Sequence, residues 1–488
     1  MDTSQLPNVS GQLVTAHNPA RTDLQGMDHA RCAALHNYLV HYAWVAEGRA
    51  PAILHSNPNT FFTIHGATAD ALRPRLDPSV AAFLATALLP PPYIREPPPF
   101  FFWASEVSPP DEIFANWAAD LFDQPEDSLV TLYLPNIGQG GESGGGVFYH
   151  QGYHRAVVFM HMDDYGYALP IEKHPELWHP LETILSNWID LIHLGKVTAS
   201  PRIVPAQFDS EKIGPWEWKP YSEAQVTTCV DSWDRLCDAI EARIALLPAT
   251  DLAIDAAEPE QLVTPAVLDA VSVPENCFAR SFLTRAHRPQ FRFIAPGLTI
   301  PSADAAEFAA TQPFTNLPRG PQAIPPVCLF STASGEFEIN LPGPLNPFYR
   351  DFRTGTADSL ISSRIPAGVY SESVDRSAYD NTEEGFRLLL PYGFEGDDWD
   401  WDVADKGARK SDGSVIEWGK LGDLFQHGYK PFGGDYYRPQ RLERLFDHWC
   451  KLVVEGVWSV GPQGVEGSLE TFREADAKWK DYVIPPTW

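Results

Sequence analysis

The chain has 488 residues, with 64 acidic side chains against 36 basic ones and a formal net charge of -28. Its mean surface field therefore repels polyanions and anionic membranes and attracts small cations. With 44% hydrophobic residues it can bury a sizeable core, and a prior of ~150 residues per domain allows about three units. Pro and Gly are spread along the chain rather than gathered into linkers. That favours one large body, with a bilobal form as the alternative.

The N-terminus MDTSQLPNVSGQ lacks the basic residues and apolar run of a secretion signal, and every apolar run breaks before ~18 residues. The expected compartment is the cytoplasm. The six cysteines are scattered without a C-x-x-C pair, so reduced, mostly buried thiols are expected.

In chain order, residues 1–24 carry few apolar anchors and read as a flexible N-terminal tail or a surface strap, and residues 25–488 as a single globular catalytic domain. From Met27 to Glu47, the spacing of Leu35, Tyr38, Leu39 and Tyr42 predicts an amphipathic helix stopped by Gly48, and a shorter helix is expected near Ser79–Leu89. The stretch PPPYIREPPPFFFW, Pro90–Trp103, is excluded from regular structure by its prolines and reads as an extended aromatic strap. Leu129–Leu134 and Ala156–Met160 read as buried strands, separated by the glycine run Gly138–Gly146. No G-K-[ST] follows that run, so it reads as a loop rather than a phosphate cradle.

The clearest segment is HPELWHPLETILSNWIDLIHLG, where Pro180 suits a first turn, Leu181, Ile184, Leu185, Trp188 and Ile192 form one stripe, and Gly195 ends the helix. Another helix is expected over Val226–Leu247, one opens at Pro439 and closes at Gly456, and a last one covers Ser468–Tyr482. Residues 277–350 read as strand-like and irregular. The sum is a mixed α/β (α+β), helix-rich chain without internal repeats.

Three sets of residues could carry chemistry. In YHQGYHRAVVFMHMDDYGY, His150, His154, His161, Asp163 and Asp164 cluster around one predicted strand, and the adjacent aspartates past its end could divide into an acid and a base. His161 and Asp163 also have the H-x-D spacing of a two-histidine, one-carboxylate iron site, with His287 and His427 as candidate distal ligands. In EGDDWDWDVAD, Asp398, Asp400 and Asp402 alternate with Trp399 and Trp401, an arrangement that suits a guanidinium or ammonium. A calcium loop there fails, because Val403 stands where glycine is needed.

The one basic concentration is RSFLTRAHRPQFRF, which places Arg280, Arg285, Arg288 and Arg292 among three phenylalanines. It suits phosphates and stacked bases, or else neutralises carboxylates nearby. No G-x-S-x-G elbow, H-E-x-x-H pair, dinucleotide-binding fingerprint or kinase signature is present.

Three stretches, RAVVFMHMDDYGYALPIEKHPELWHPLETILSNWI, CFARSFLTRAHRPQFRFIAPGL and EGVWSVGPQGVEGSLETFREADAKWKDYVIPPTW, resemble the fungal arginine-containing cyclodipeptide synthases. The resemblance implies a transferase of secondary metabolism that joins arginyl-tRNA and a second aminoacyl-tRNA into a diketopiperazine. It implies no cofactor, because the ester to tRNA is already activated. Of the family's D-D-x-x-E motif, Asp163 and Asp164 match; Tyr167 stands at the last position and Glu172 is the nearest substitute.

By the same resemblance, Asp163, Asp164, His161 and Glu172 would be catalytic, and Asp398, Trp399, Asp400 and Asp402 would clamp the arginine side chain. Arg280, Arg285, Arg288 and Arg292 would hold RNA phosphates. The alternatives are a non-haem iron or other metal-dependent oxygenase centred on His161 and Asp163, and a non-enzymatic interaction protein.

Overall fold

A computed structural model describes residues 5–56, 58–114, 122–136, 145–159, 171–173, 175–208, 212–247, 260–332, 338–340, 348, 364–377, 381–395, 407–417, 419–428, 432–433 and 439–486. Helix and strand mix, with helix the larger share, as expected. The chain divides into two compact units. The first holds the described residues of Met1–Lys219 and Tyr429–Tyr437, the second those of Pro220–Gly428 and Arg438–Pro486. Among the described residues no helix is long and apolar enough to cross a membrane.

The first unit is built on an antiparallel sheet whose four strands, β1 (Ala104–Val107), β2 (Leu129–Pro135), β3 (Gly146–His150) and β4 (Arg155–Phe159), follow one another in sequence order. Side chains alternate between the faces of a strand, and here that period separates two cores. Phe148, Val157 and Phe159 pack with Phe122 and Trp178 on one side. Val147, Tyr149, Ala156 and Val158 face the other side, with the helices His29–Ala46 and Leu181–His193. Gly146 is required where β2 and β3 meet: its φ is +139°, and a Cβ there would lie 2.2 Å from the Tyr133 carbonyl oxygen.

In the predicted helix around Trp188, the expected stripe is the buried face, but Pro180 caps the helix from outside its first turn. Trp188 stacks on Phe101 from the aromatic strap at 4.8 Å and donates its indole N–H to the Phe432 carbonyl at 2.7 Å. The expected helix near Ser79–Leu89 is shorter, Pro78–Leu84, opened by the Asp77 side chain accepting from the Ser79 N–H. The N-terminal stretch is a strap rather than a free tail. Val9 is buried, and the buried Arg31 guanidinium donates to the carbonyls of Gln12, Leu13, Asn18 and Pro19 at 2.6–2.9 Å.

In the second unit, the helices Glu223–Ile244 and Leu442–Val454 pack on a three-stranded antiparallel sheet with Gly368–Ser371 between Cys328–Ser331 and Phe386–Leu389. Ser222 and Gln225 form a capping box that starts the first helix before the expected Val226. The irregular reading of 277–350 missed the helices Phe278–Arg285 and Ala305–Ala310. The expected terminal helix over Ser468–Tyr482 is instead two 3-10 segments, Leu469–Asp476 and Trp479–Asp481. All six cysteines are free, and five are buried.

Candidate functional site

In the second unit, the arginine-rich stretch is fixed from below by a tryptophan. Trp233 is fully buried, stacks on Phe330 at 5.3 Å and donates its indole N–H to the His287 carbonyl at 2.9 Å. The His287 ring is held in turn by Asp234, 2.6 Å away. Backbone bonds from Leu262 to Ala286 and from Arg288 to Glu260, each 2.8 Å, tie the stretch to the preceding chain. Arg292 and Phe293 both donate their N–H to the Gln463 carbonyl at 2.9 Å. The backbone on either side of Pro289 is therefore anchored at both ends, and the side chains of Arg288 and Arg292 are presented from a rigid frame.

Both side chains line a cavity of about 530 Å³, whose other walls include Thr299, Ser302, Glu307 and Thr332. Arg288 is pinned on one side, where its Nη2 donates to the carbonyls of Leu262 and Pro301. Its Nε is buried without a partner among the described residues, as is the Thr332 hydroxyl. Burial draws the Arg288 guanidinium below its ordinary value, partly offset by Glu260; it remains a cation at neutral pH.

Arg292 is exposed, with its guanidinium 5.3 Å from the Phe293 ring centroid and no carboxylate partner among the described residues. Across the cavity lining, Glu307 accepts the Ser302 hydroxyl at 2.7 Å. Cys328 also lines the space, but burial pushes its thiol up to about 12, so no thiolate is at hand.

An unmet buried donor costs free energy until a partner arrives. Two guanidiniums, two unmet donors and a carboxylate within one polar cavity can receive a molecule that carries an anionic group and, beside it, an amine or hydroxyl.

The other two arginines of the stretch do not join them. Arg280 is ion-paired with Asp269 at 2.6 Å and donates to the Val273 carbonyl at 3.1 Å. Arg285 is paired with Glu223 at 2.7 Å. Neither lines the cavity. The expected convergence of four arginines is thus not found: Arg288 and Arg292 line one cavity, while Asp269 and Glu223 pair with the other two.

Of the expected catalytic set, His161, Asp163 and Asp164 lie outside the described residues, as do the glycine run 138–144 and the clamp Asp398, Trp399, Asp400 and Asp402. Glu172 is exposed, and its carboxylate accepts the Tyr153 hydroxyl at 2.5 Å, which holds it below the ordinary carboxylate value. His150 is committed within the fold: its Nδ1 accepts the N–H groups of Gly152 and Tyr153 and its Nε2 faces Gln124 at 3.0 Å.

His427 is buried beside the Ser411 hydroxyl at 3.2 Å. Among the described residues no group of three or more His, Cys, Asp or Glu is arranged to hold a metal ion. The sequence reading missed Thr299, Ser302, Glu307 and Thr332. Only Glu307 carried a local signal, at the third position after the helix cap Asp304, whose side chain accepts the Glu307 N–H at 3.0 Å.

No family model, curated protein or solved structure matches the chain.

Proposed function

We propose that this protein is a tRNA-dependent, arginine-containing cyclodipeptide synthase of fungal secondary metabolism, and that the Arg288–Arg292 cavity takes a phosphate near the aminoacylated end of its RNA substrate. The observation that carries the site assignment is the pairing of Arg292, unopposed among the described residues, with the partly unmet donors of Arg288 and Thr332 around about 530 Å³ of space. The resemblance read from the sequence supplies the reaction.

In that reaction, the α-amine of one aminoacyl group attacks the ester carbonyl of the other. An amide forms, the ester C–O bond breaks, and the ribose hydroxyl leaves with the proton that the amine gives up. A second such attack closes the six-membered ring. On this reading Glu307 is the described carboxylate suited to the amine, Ser302 orients it, and Asp163 and Asp164 stay the expected bases. The net charge of -28 confines RNA to a restricted surface such as this one.

Expression of the gene in a host lacking related pathways, followed by profiling of small metabolites, tests the reaction: an arginine-containing diketopiperazine is the expected product. The site assignment is tested separately by RNA binding at low salt. Protein that binds no RNA there overturns the tRNA reading.

A further inference from the structure

The first unit contains a cavity of another kind. The helices His29–Ala46 and Phe61–Asp70 and the aromatic strap enclose about 370 Å³, and seven of the lining residues are proline. Runs of proline suit such a wall, since they fix the backbone and have no N–H to leave unpaired. Two of the polar side chains in the wall are already committed. His36 stacks on Phe100 at 4.6 Å, its Nδ1 lies 2.9 Å from the Tyr133 hydroxyl, and its Nε2 lies 2.8 Å from the Leu88 carbonyl oxygen. Burial pushes that ring down to about 4, so it is neutral at physiological pH. The Ser105 hydroxyl donates to the Leu134 carbonyl at 3.2 Å.

Of the two polar side chains in the wall without such a bond to a described residue, His65 and Glu106, only Glu106 is acidic. It lines the cavity from an exposed position on β1, and it has no hydrogen bond or ion pair with a described residue. Partial burial raises its carboxyl above the ordinary value, and the nearby Glu112 adds to that. Asp111 acts on His65, which also lines the cavity. No described lysine or arginine lines the cavity itself; Arg202, which donates to the Pro97 carbonyl at 3.0 Å, is ion-paired with Glu47.

We propose that this cavity binds an amphipathic organic ammonium, with the apolar body against Ile64, Ile94, Pro98 and Phe100 and the ammonium on Glu106. The volume lies within the range of small-molecule sites. An acidic mouth on a protein of net charge -28 concentrates cations at the entrance. Glu106 marks the end at which the charge sits, and the proline wall offers no N–H donors to an anionic group. The site is independent of the Arg288–Arg292 cavity and of the reaction proposed for it.

The test is calorimetric titration of the full chain with 2-phenylethylamine, its neutral counterpart 2-phenylethanol and the anion phenylacetate. Binding is expected in the order amine, alcohol, acid, with the amine ahead of the alcohol by about tenfold, the scale of one partly screened charged hydrogen bond. In Glu106→Gln the amine should fall to the affinity of the alcohol while the alcohol is unchanged. Ile94→Trp, which fills the cavity from a half-buried strap position, should weaken both.

Equal affinity for amine and alcohol in the wild type overturns the proposal. So does an amine affinity that Glu106→Gln leaves intact, or the absence of amine binding at about 10 mM, near the weak end of measurable affinity. If Ile94→Trp lowers the melting temperature, the amine–alcohol comparison in the wild type and Glu106→Gln decides alone.

Discussion

The two units fill their interiors with different chemistry. Around Trp188 in the first, the neighbours are aromatic: Phe101 stacks at 4.8 Å, and Trp103 and Phe100 meet the indole edge-on at 6.2 Å. Both units bury charge, Arg31, Glu182 and Lys196 among the first unit's buried residues, but the second, whose aromatic centre is Trp233, also joins buried ions into a network. Arg387 pairs with Glu372 at 2.9 Å with both side chains about 5% exposed, and Asp423 lies 3.1 Å from Lys410 and 3.8 Å from Arg387. An apolar core gains by removing area from water and tolerates local adjustment. A buried charge network gains little net stability, yet each member becomes costly once its partner is gone. The cavities follow the same division: apolar walls with one carboxylate unpaired among the described residues in the first unit, guanidiniums and hydroxyls in the second.

The largest effects test that contrast directly. Asp423→Ala should cost ~3–5 kcal/mol, because it strands Lys410 and leaves Arg387 with fewer anions in a buried site. Trp188→Ala should cost a similar ~3–5 kcal/mol through lost packing. Their dependence on pH should differ. Burial alone would raise the Asp423 carboxyl, but Lys410 and Arg387 outweigh it and hold it below its ordinary value of 3.8. Its stabilisation is therefore present above that value and lost as the pH falls through the depressed one.

Denaturant titrations over acid pH should show the Asp423→Ala deficit shrinking below about pH 4 while the Trp188→Ala deficit stays constant. Parallel curves would remove the distinction between the two cores.

A middle-sized effect should be common to both units. Burial pushes His36 in the first and His448 in the second down to about 4, with a backbone carbonyl acting against it in each case. A histidine depressed in the folded state is neutral there while the unfolded chain takes up a proton, so stability falls as the pH drops from the ordinary 6.5 toward 4. Each such histidine should contribute a loss of about 2 kcal/mol between pH 7 and pH 5. His448→Gln keeps a donor for the Asp481 carbonyl, and in thermal melts it should flatten the decline by one histidine's share. An unchanged decline would mean that the His448 ring is solvated.

Much of the fold was legible in the sequence where one periodicity dominates. The stripe around Trp188 is buried along a single helix, and β2 and β4 lie where the apolar runs read as buried strands placed them. Prediction failed where long-range contacts decide local structure. The segment Phe278–Arg285 is helical because Phe278, Phe282 and Leu283 pack into a core assembled from distant chain. The fifteen residues of the supposed terminal helix, Ser468–Tyr482, break before Trp479 into two 3-10 segments.

The candidate site was half legible. Clustering of four arginines was visible, but their opponents, Asp269 and Glu223, lie 11 and 62 positions earlier and carry no motif. The hydroxyl wall at Thr299, Ser302 and Thr332 is likewise a product of topology rather than spacing.

The smallest expected effect separates those arginines most cleanly. Arg285 is answered by Glu223 at the surface, so Arg285→Gln should change stability by ~1 kcal/mol or less and leave the salt dependence of RNA binding as it was. Arg292 lines the cavity and is ion-paired with no described carboxylate, so Arg292→Gln should weaken RNA binding and lower the salt slope by about one unit, because one phosphate is no longer neutralised. Arg288→Gln is the less direct probe, since it also removes the donors to Leu262 and Pro301. The double change at Arg288 and Arg292 should lower the slope by about two units in all.

Filter binding across a salt series measures the four variants beside the wild type. A slope that falls equally for Arg285→Gln and Arg292→Gln would mean that RNA displaces Glu223 and reads the whole basic stretch. A slope that moves for neither would put the RNA-binding surface elsewhere on the protein and leave the polar cavity to a small anionic ligand.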